Sequence, residues 1–128
     1  MTMLPDYLQR EHHLIESNID RLLRGLETYQ DPNDPRNAGQ RAMLAIQREH
    51  LALIEEMQAH VGDPAEVLTL CALQLAQTAM EHEKSRLHEH SHDGRHSDDW
   101  WKTLGRLDYL GKLTHEVIHL MQQPVYRV

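Results

Sequence analysis

The chain has 128 residues, and this length predicts a single domain over residues 1–128. A formal charge of −7 argues against nucleic acid or an anionic membrane as a partner, because both attract basic surfaces. One cysteine excludes an internal disulfide framework, and charges within the first twenty residues predict that no signal peptide begins the chain. No apolar run is long enough for a membrane span, so we expect a soluble cytoplasmic protein.

Hydrophobic periodicity predicts four helices, at about 5–29, 37–61, 64–88 and 99–123. Two prolines between Asp31 and Pro35 end the first helix, while Gly62 and Pro64 mark the end of the second and the start of the third. The polar, His-rich stretch 89–98 predicts a loop. No segment alternates like a strand, so the predicted fold is an all-α, antiparallel up-down four-helix bundle.

One partial internal repeat is visible. Residues 9–16 (QREHHLIE) are similar to residues 47–55 (QREHLALIE), which contain one more residue. The third and fourth helices do not contain this sequence, which favours a bundle over a helical repeat array.

The chain holds eleven histidines, and counting about 100° per residue shows which of them lie on apolar helix faces. His12 lies within the apolar stripe of the first helix. His50 lies on an apolar face of the second helix together with Met43, and His82 shares a stripe of the third helix with Cys71. Each of these histidines could instead be a core residue that makes one hydrogen bond.

A rise of about 1.5 Å per residue allows four of the candidate ligands to share one layer of the bundle. These are His12, His50, Cys71 and His115, whereas His82 falls in a different layer. Three imidazoles and a thiolate form a tetrahedral set that suits zinc. The sequence therefore predicts a metal-binding bundle that senses, carries or stores a transition metal or a metal-bound small ligand.

The fourth helix contains the motif H-E-x-x-H at residues 115–119. In zinc peptidases the two histidines hold the metal and the glutamate activates water, so Glu116 is the candidate catalytic base of an alternative zinc-dependent hydrolase. His119 could also join or replace a ligand of the predicted layer. Both His115 and His119 lie nearly opposite the broad apolar arc of the helix. If that arc faces the core, the two histidines face water or a partner.

Residues 6–16 (DYLQREHHLIE), followed by Leu22 and Leu23, resemble the first helix of the hemerythrin-like (HHE cation-binding) family. The resemblance implies an up-down four-helix bundle with a non-haem di-iron centre, in which His12 matches the first-helix ligand. It also implies carboxylate ligands, for which the candidates are Glu16, Glu81 and Glu116. The sequence departs from the family pattern at His50, which is followed four residues later by Ile54 instead of an acid.

Two further features leave alternatives open. The loop histidines could bind nickel, zinc or copper loosely, or could belong to a solvated connection; they are His88, His90, His92 and His96. The third helix is apolar on many sides, which predicts a metal-free interaction or regulatory module that buries a second apolar face in a homodimer.

Overall fold

The computed structural model describes residues 3–28, 35–87 and 98–123. These residues form four helices and no strand, so the predicted all-α class with four helices is confirmed. The helices are α1 (Leu4–Thr28), α2 (Pro35–Ala59), α3 (Pro64–Leu87) and α4 (Asp98–Met121). Every boundary lies within two residues of its predicted position. The His-rich loop predicted at 89–98 lies outside the described residues except for Asp98, which begins α4.

The connection between α2 and α3 follows from its turn and cap residues. The last turn of α2 closes through the backbone N–H groups of His60 and Val61, which donate to carbonyls three residues earlier. Asp63 then caps α3, because its carboxylate accepts a hydrogen bond from the backbone N–H of Glu66 at 3.4 Å. Pro64 occupies the first helical position, where a missing N–H costs nothing.

The helices form two compact units that divide after Gly62. One unit contains α1 and α2, and the other contains α3 and α4. The single domain and the up-down order of all four helices stay predictions. None of these helices, over the described residues, is long and apolar enough to cross a membrane.

In the first unit α1 and α2 run antiparallel. Gln58 donates a hydrogen bond to Gln9 at 3.2 Å, and farther along Gly25 lies beside the side chain of Gln40. The buried apolar side chains of this unit are Leu4, Leu8, Ile15, Leu44, Ile46, Leu53, Ile54 and Met57. Met43 is exposed, so its predicted place on the buried face of α2 is wrong and Leu44 is buried instead.

In the second unit α3 and α4 also run antiparallel, because His82 meets Thr103 while the earlier Cys71 meets the later Thr114. Of the two faces of α4 that the sequence leaves open, the broad apolar arc is the one that faces inward. Its buried members are Leu110, Leu113, Val117 and Leu120. This orientation decides where the H-E-x-x-H motif lies.

Candidate functional site

His12 lies between two carboxylates that come from two helices. Its Nδ1 is 2.6 Å from Oε1 of Glu16, one turn farther along α1. Its Nε2 is 3.2 Å from Oε1 of Glu55 on α2. The imidazole is half-buried, whereas both carboxylates are exposed. His12, Glu16 and Glu55 therefore form a small polar cluster, the His12 cluster, at the edge of the first unit.

The His12 cluster has a donor deficit when its imidazole is neutral. A neutral imidazole has one N–H donor and one bare nitrogen, and carboxylates can only accept. If Nδ1–H donates to Glu16, the bare Nε2 faces an oxygen of Glu55 and the two lone pairs repel. A cation relieves that repulsion, either a proton on Nε2 or a metal ion bound by Nε2 and Glu55. The 3.2 Å between Nε2 of His12 and Oε1 of Glu55 is within the ordinary range of a hydrogen bond.

Glu55 is the member of the cluster that sequence reasoning missed. The signal was present in the partial repeat, in which Glu55 stands where Glu16 stands in the first copy. The one-residue insertion moves Glu55 from the fourth to the fifth position after His50. The structure brings both equivalent acids to the same imidazole, one from each helix.

His50 has a different environment from His12. It is buried, with 5% of its surface exposed, as its position on an apolar face of α2 predicts. It precedes Glu55 by five residues, so it lies about 7.5 Å nearer the start of α2 than Glu55, the residue that contacts His12. A ligand shared by His12 and His50 stays a prediction.

The candidate ligands of α3 contact hydroxyl groups of α4. Cys71 is fully buried, and its thiol donates to the carbonyl of Leu68 at 3.3 Å. Burial raises the pKa of this thiol, although the side chain of Thr114 opposes the shift. The Nδ1 atom of His82 is 2.7 Å from Oγ1 of Thr103. In this structure Cys71 is therefore favoured as a neutral thiol, and one nitrogen of His82 is already occupied.

The H-E-x-x-H motif lies on the outer side of α4. His115 and His119 are exposed and Glu116 is half-buried, because the apolar arc of the helix faces the core. This is the arrangement in which the two histidines face water or a partner. The hydrolase alternative, with Glu116 as its base, stays a prediction that Glu116→Gln would test.

Three or more metal-ligating side chains do not converge anywhere in residues 3–28, 35–87 and 98–123 in an arrangement that could hold a metal ion. Glu81, the other carboxylate candidate, is exposed on α3 and lines a separate cavity. The four loop histidines lie outside the described residues. Among the candidate sites, the His12 cluster has the best-supported geometry. It brings together one imidazole nitrogen and one carboxylate from facing helices.

No protein-family model, no curated protein and no solved structure matches this chain. The resemblance to the hemerythrin-like family therefore stays a prediction from residues 6–16.

Proposed function

We propose that this protein binds a transition metal ion, zinc or non-haem iron, and carries, stores or senses it. The proposed ligands are Nε2 of His12 and the carboxylate of Glu55. The observation that supports the proposal is their 3.2 Å approach across α1 and α2. Imidazole nitrogen and carboxylate oxygen are donors that suit both metals.

Glu16 has an orienting role in this proposal. Its carboxylate lies 2.6 Å from Nδ1 of His12, which favours the tautomer with a bare Nε2. Carboxylates that hold a ligating histidine in this way raise its basicity and fix its ring. Loss of such a partner weakens metal binding by about 10- to 100-fold.

Two protein ligands leave the other coordination positions to water or to a small ligand. Because Glu16 and Glu55 are exposed, a bound metal ion can exchange with solvent, and its binding is reversible. These properties suit a carrier or a sensor better than a closed structural site, in which four protein ligands are usual. The cytoplasmic location that we predict from the single cysteine is part of the same proposal.

The test is metal analysis of protein purified without an affinity tag, followed by calorimetric titration with Zn²⁺ and with Fe²⁺ under anaerobic conditions. We expect one equivalent of metal to bind. His12→Ala should abolish this binding, and Glu55→Gln should lower its affinity. His13→Ala is the matched control, because His13 is the exposed neighbour on the same helix. Circular dichroism of each variant establishes that it is folded.

The pH dependence of the titration is a second readout. A proton and the metal compete for Nε2, so affinity falls as the pH is lowered. If His12→Ala binds metal as the unchanged protein does, the proposal is wrong and the metal is held elsewhere, for example by the loop histidines.

A second function is favoured by a separate observation on α3. Three large apolar side chains, spaced seven residues apart, are more than half exposed: Leu73 at 53%, Met80 at 66% and Leu87 at 64%. Side chains at heptad spacing lie along one side of a helix, as one of the two apolar positions of a coiled-coil heptad does. We propose that this seam pairs with the same seam of a second copy, as in a regulatory homodimer.

The spacing makes the seam self-complementary. A two-fold axis through Met80 places Leu73 of one copy opposite Leu87 of the other in an antiparallel pair. Sedimentation equilibrium over a range of concentrations tests this, with Met80→Glu expected to shift the chain to monomer. Gln74→Glu adds the same charge to an exposed position outside the seam and should leave the dimer intact. A monomer at all concentrations would exclude the homodimer.

A further inference from the structure

The two histidines of the H-E-x-x-H motif form an exposed pair on the outer side of α4. His115 and His119 are four residues apart, so they lie on neighbouring turns of one helix face, with Cβ atoms about 5–6 Å apart. Both side chains are exposed. Neither imidazole makes a hydrogen bond or an ion pair within the part of the chain that the structure describes. Their ring nitrogens are therefore accessible to a ligand from solvent.

Histidines at this spacing on a helix chelate one metal ion, as the two motif histidines of zinc peptidases do. The helix itself supplies the geometry, since a step of four residues advances the chain by about 6 Å and rotates it by only about 40°. Residues 115–119 lie within α4, which continues to Met121. The helix therefore holds the two side chains next to each other before a metal binds.

The charges around the pair favour a cation. His119 lies in the last turn of α4, where the carbonyl groups at the end of a helix carry a partial negative charge. Glu116, which directly follows His115, adds a carboxylate to the same part of the helix. Lys112 precedes the pair, and its Nζ is 3.0 Å from Oδ2 of Asp108, one turn nearer the start of the helix. The positive charge of this lysine is therefore paired with a carboxylate and directed away from the histidines.

The donor set determines the class of metal. Imidazole nitrogen suits zinc, copper, iron and nickel, and the affinity of a given site for divalent ions is highest for copper. Copper(II) also prefers a tetragonal arrangement, in which two neighbouring positions accept the histidines and water fills the others. Among residues 3–28, 35–87 and 98–123, no third histidine, cysteine or carboxylate joins this pair in a group that could hold a metal.

We propose that His115 and His119 form a two-histidine chelating site for a divalent late transition metal ion, with Cu²⁺ bound most tightly. The site is independent of the proposed function. The His12 cluster lies in the unit of α1 and α2, whereas this pair lies in the unit of α3 and α4. The two sites also differ in their donors, because the His12 cluster supplies one nitrogen and one carboxylate.

The test is a calorimetric titration of the full chain with Cu²⁺ in a background variant that lacks the other candidate ligands. In this variant His12→Ala removes the His12 cluster, and asparagine replaces the four loop histidines, His88, His90, His92 and His96. We expect one equivalent of Cu²⁺ to bind. Adding His115→Ala or His119→Ala should weaken binding by about 100-fold, the lower end of the gain that two linked ligands give over one. His13→Ala is the matched control, because His13 is exposed and has no histidine one turn away.

The spacing of the pair has its own control. His115→Ala combined with Ile118→His keeps two histidines at exposed positions of α4 but makes them adjacent, so that their side chains diverge by about 100°. This variant should bind Cu²⁺ as weakly as a variant with one histidine of the pair. Because the chelate requires residues 115–119 to be helical, Cu²⁺ should raise the urea midpoint of the background variant but not that of the spacing variant. Circular dichroism establishes that each variant is folded.

Nuclear magnetic resonance follows the same pair in the unchanged chain, where no substitution affects folding. As paramagnetic Cu²⁺ is added, the ring signals of His115 and His119 should broaden together and before those of the exposed His13 and His60. The proposal is overturned if the two signals broaden separately or later, or if the spacing variant binds Cu²⁺ as tightly as the background variant. Because the background variant already lacks His12, these results are separate from the Zn²⁺ and Fe²⁺ titrations that test the proposed function.

Discussion

Thr103 links α3 to α4, and replacing it with valine measures how much that link stabilises the second unit. Valine keeps the shape of threonine and removes the hydroxyl, which accepts from His82 at 2.7 Å and donates to the Trp100 carbonyl at 3.1 Å. A hydrogen bond contributes about 1 kcal/mol, and a buried group left without its partner costs about 1–3 kcal/mol. Because His82 is half-buried, water can reach part of the vacated site. We expect Thr103→Val to lower the free energy of unfolding by about 1–2 kcal/mol.

The assay is urea unfolding followed by circular dichroism, with Thr69→Val as the matched control. Thr69 is an exposed threonine of α3, and its hydroxyl donates within its own helix to the carbonyl of Ala65 at 2.9 Å. Its replacement should change the free energy of unfolding by less than about 0.5 kcal/mol. A double-mutant cycle that combines Thr103→Val with His82→Ala isolates the interaction free energy between these two residues of α3 and α4. Equal effects of the two valine variants, or a coupling of zero between His82 and Thr103, would refute the reasoning.

Four further variants and one labelling measurement test the packing. Gly105→Ala should raise the free energy of unfolding by about 0.5–1 kcal/mol, because a helical Cβ there meets nothing within 4 Å. Gly25→Ala should raise the free energy of unfolding by less, because its Cβ would meet an α2 side chain at 2.7 Å. Thermal melts of the two variants compare these effects. Cys71 is fully buried with a raised thiol pKa, so a thiol reagent should label it only in the fraction of molecules that urea unfolds, and rapid labelling of the native chain would contradict this burial. Leu113→Ala should lower the free energy of unfolding by about 2–5 kcal/mol, whereas Leu104→Ala, at an exposed position, should lower it by less than about 1 kcal/mol. Equal urea midpoints for the two variants would contradict the burial of the Leu113 face of α4.

The helix boundaries could be predicted because local chemistry determines them. Proline at the first helical position and Asp63 as a cap mark the start of α3 in any packing arrangement. The sequence leaves the orientation of α4 open, because two faces of the helix compete; the structure buries the broad apolar arc, so His115 and His119 face outward. The boundary predictions depend on a single helix and on no contact between helices.

The face of α3 could not be chosen in the same way. This helix is apolar around much of its circumference, so periodicity alone does not distinguish the buried side from the exposed side. The structure buries Val67, Cys71 and Thr78 and leaves the seam around Met80 exposed. His82 shares its predicted stripe with Cys71, and a threonine of α4 occupies its Nδ1, a contact that only the pairing of the two helices determines.

The His12 cluster shows why interhelical register limits what one sequence can predict. In α1 the acid follows the histidine by four residues, so Glu16 turns back to His12. In α2 the fourth position after His50 is the buried Ile54, and the acid comes one residue later. One residue rotates a helical side chain by about 100°, which takes Glu55 out of the buried face and toward α1. The acid of the second copy thereby contacts the histidine of the first, so the metal binding that we propose at this cluster requires α1 and α2 to be paired in this register.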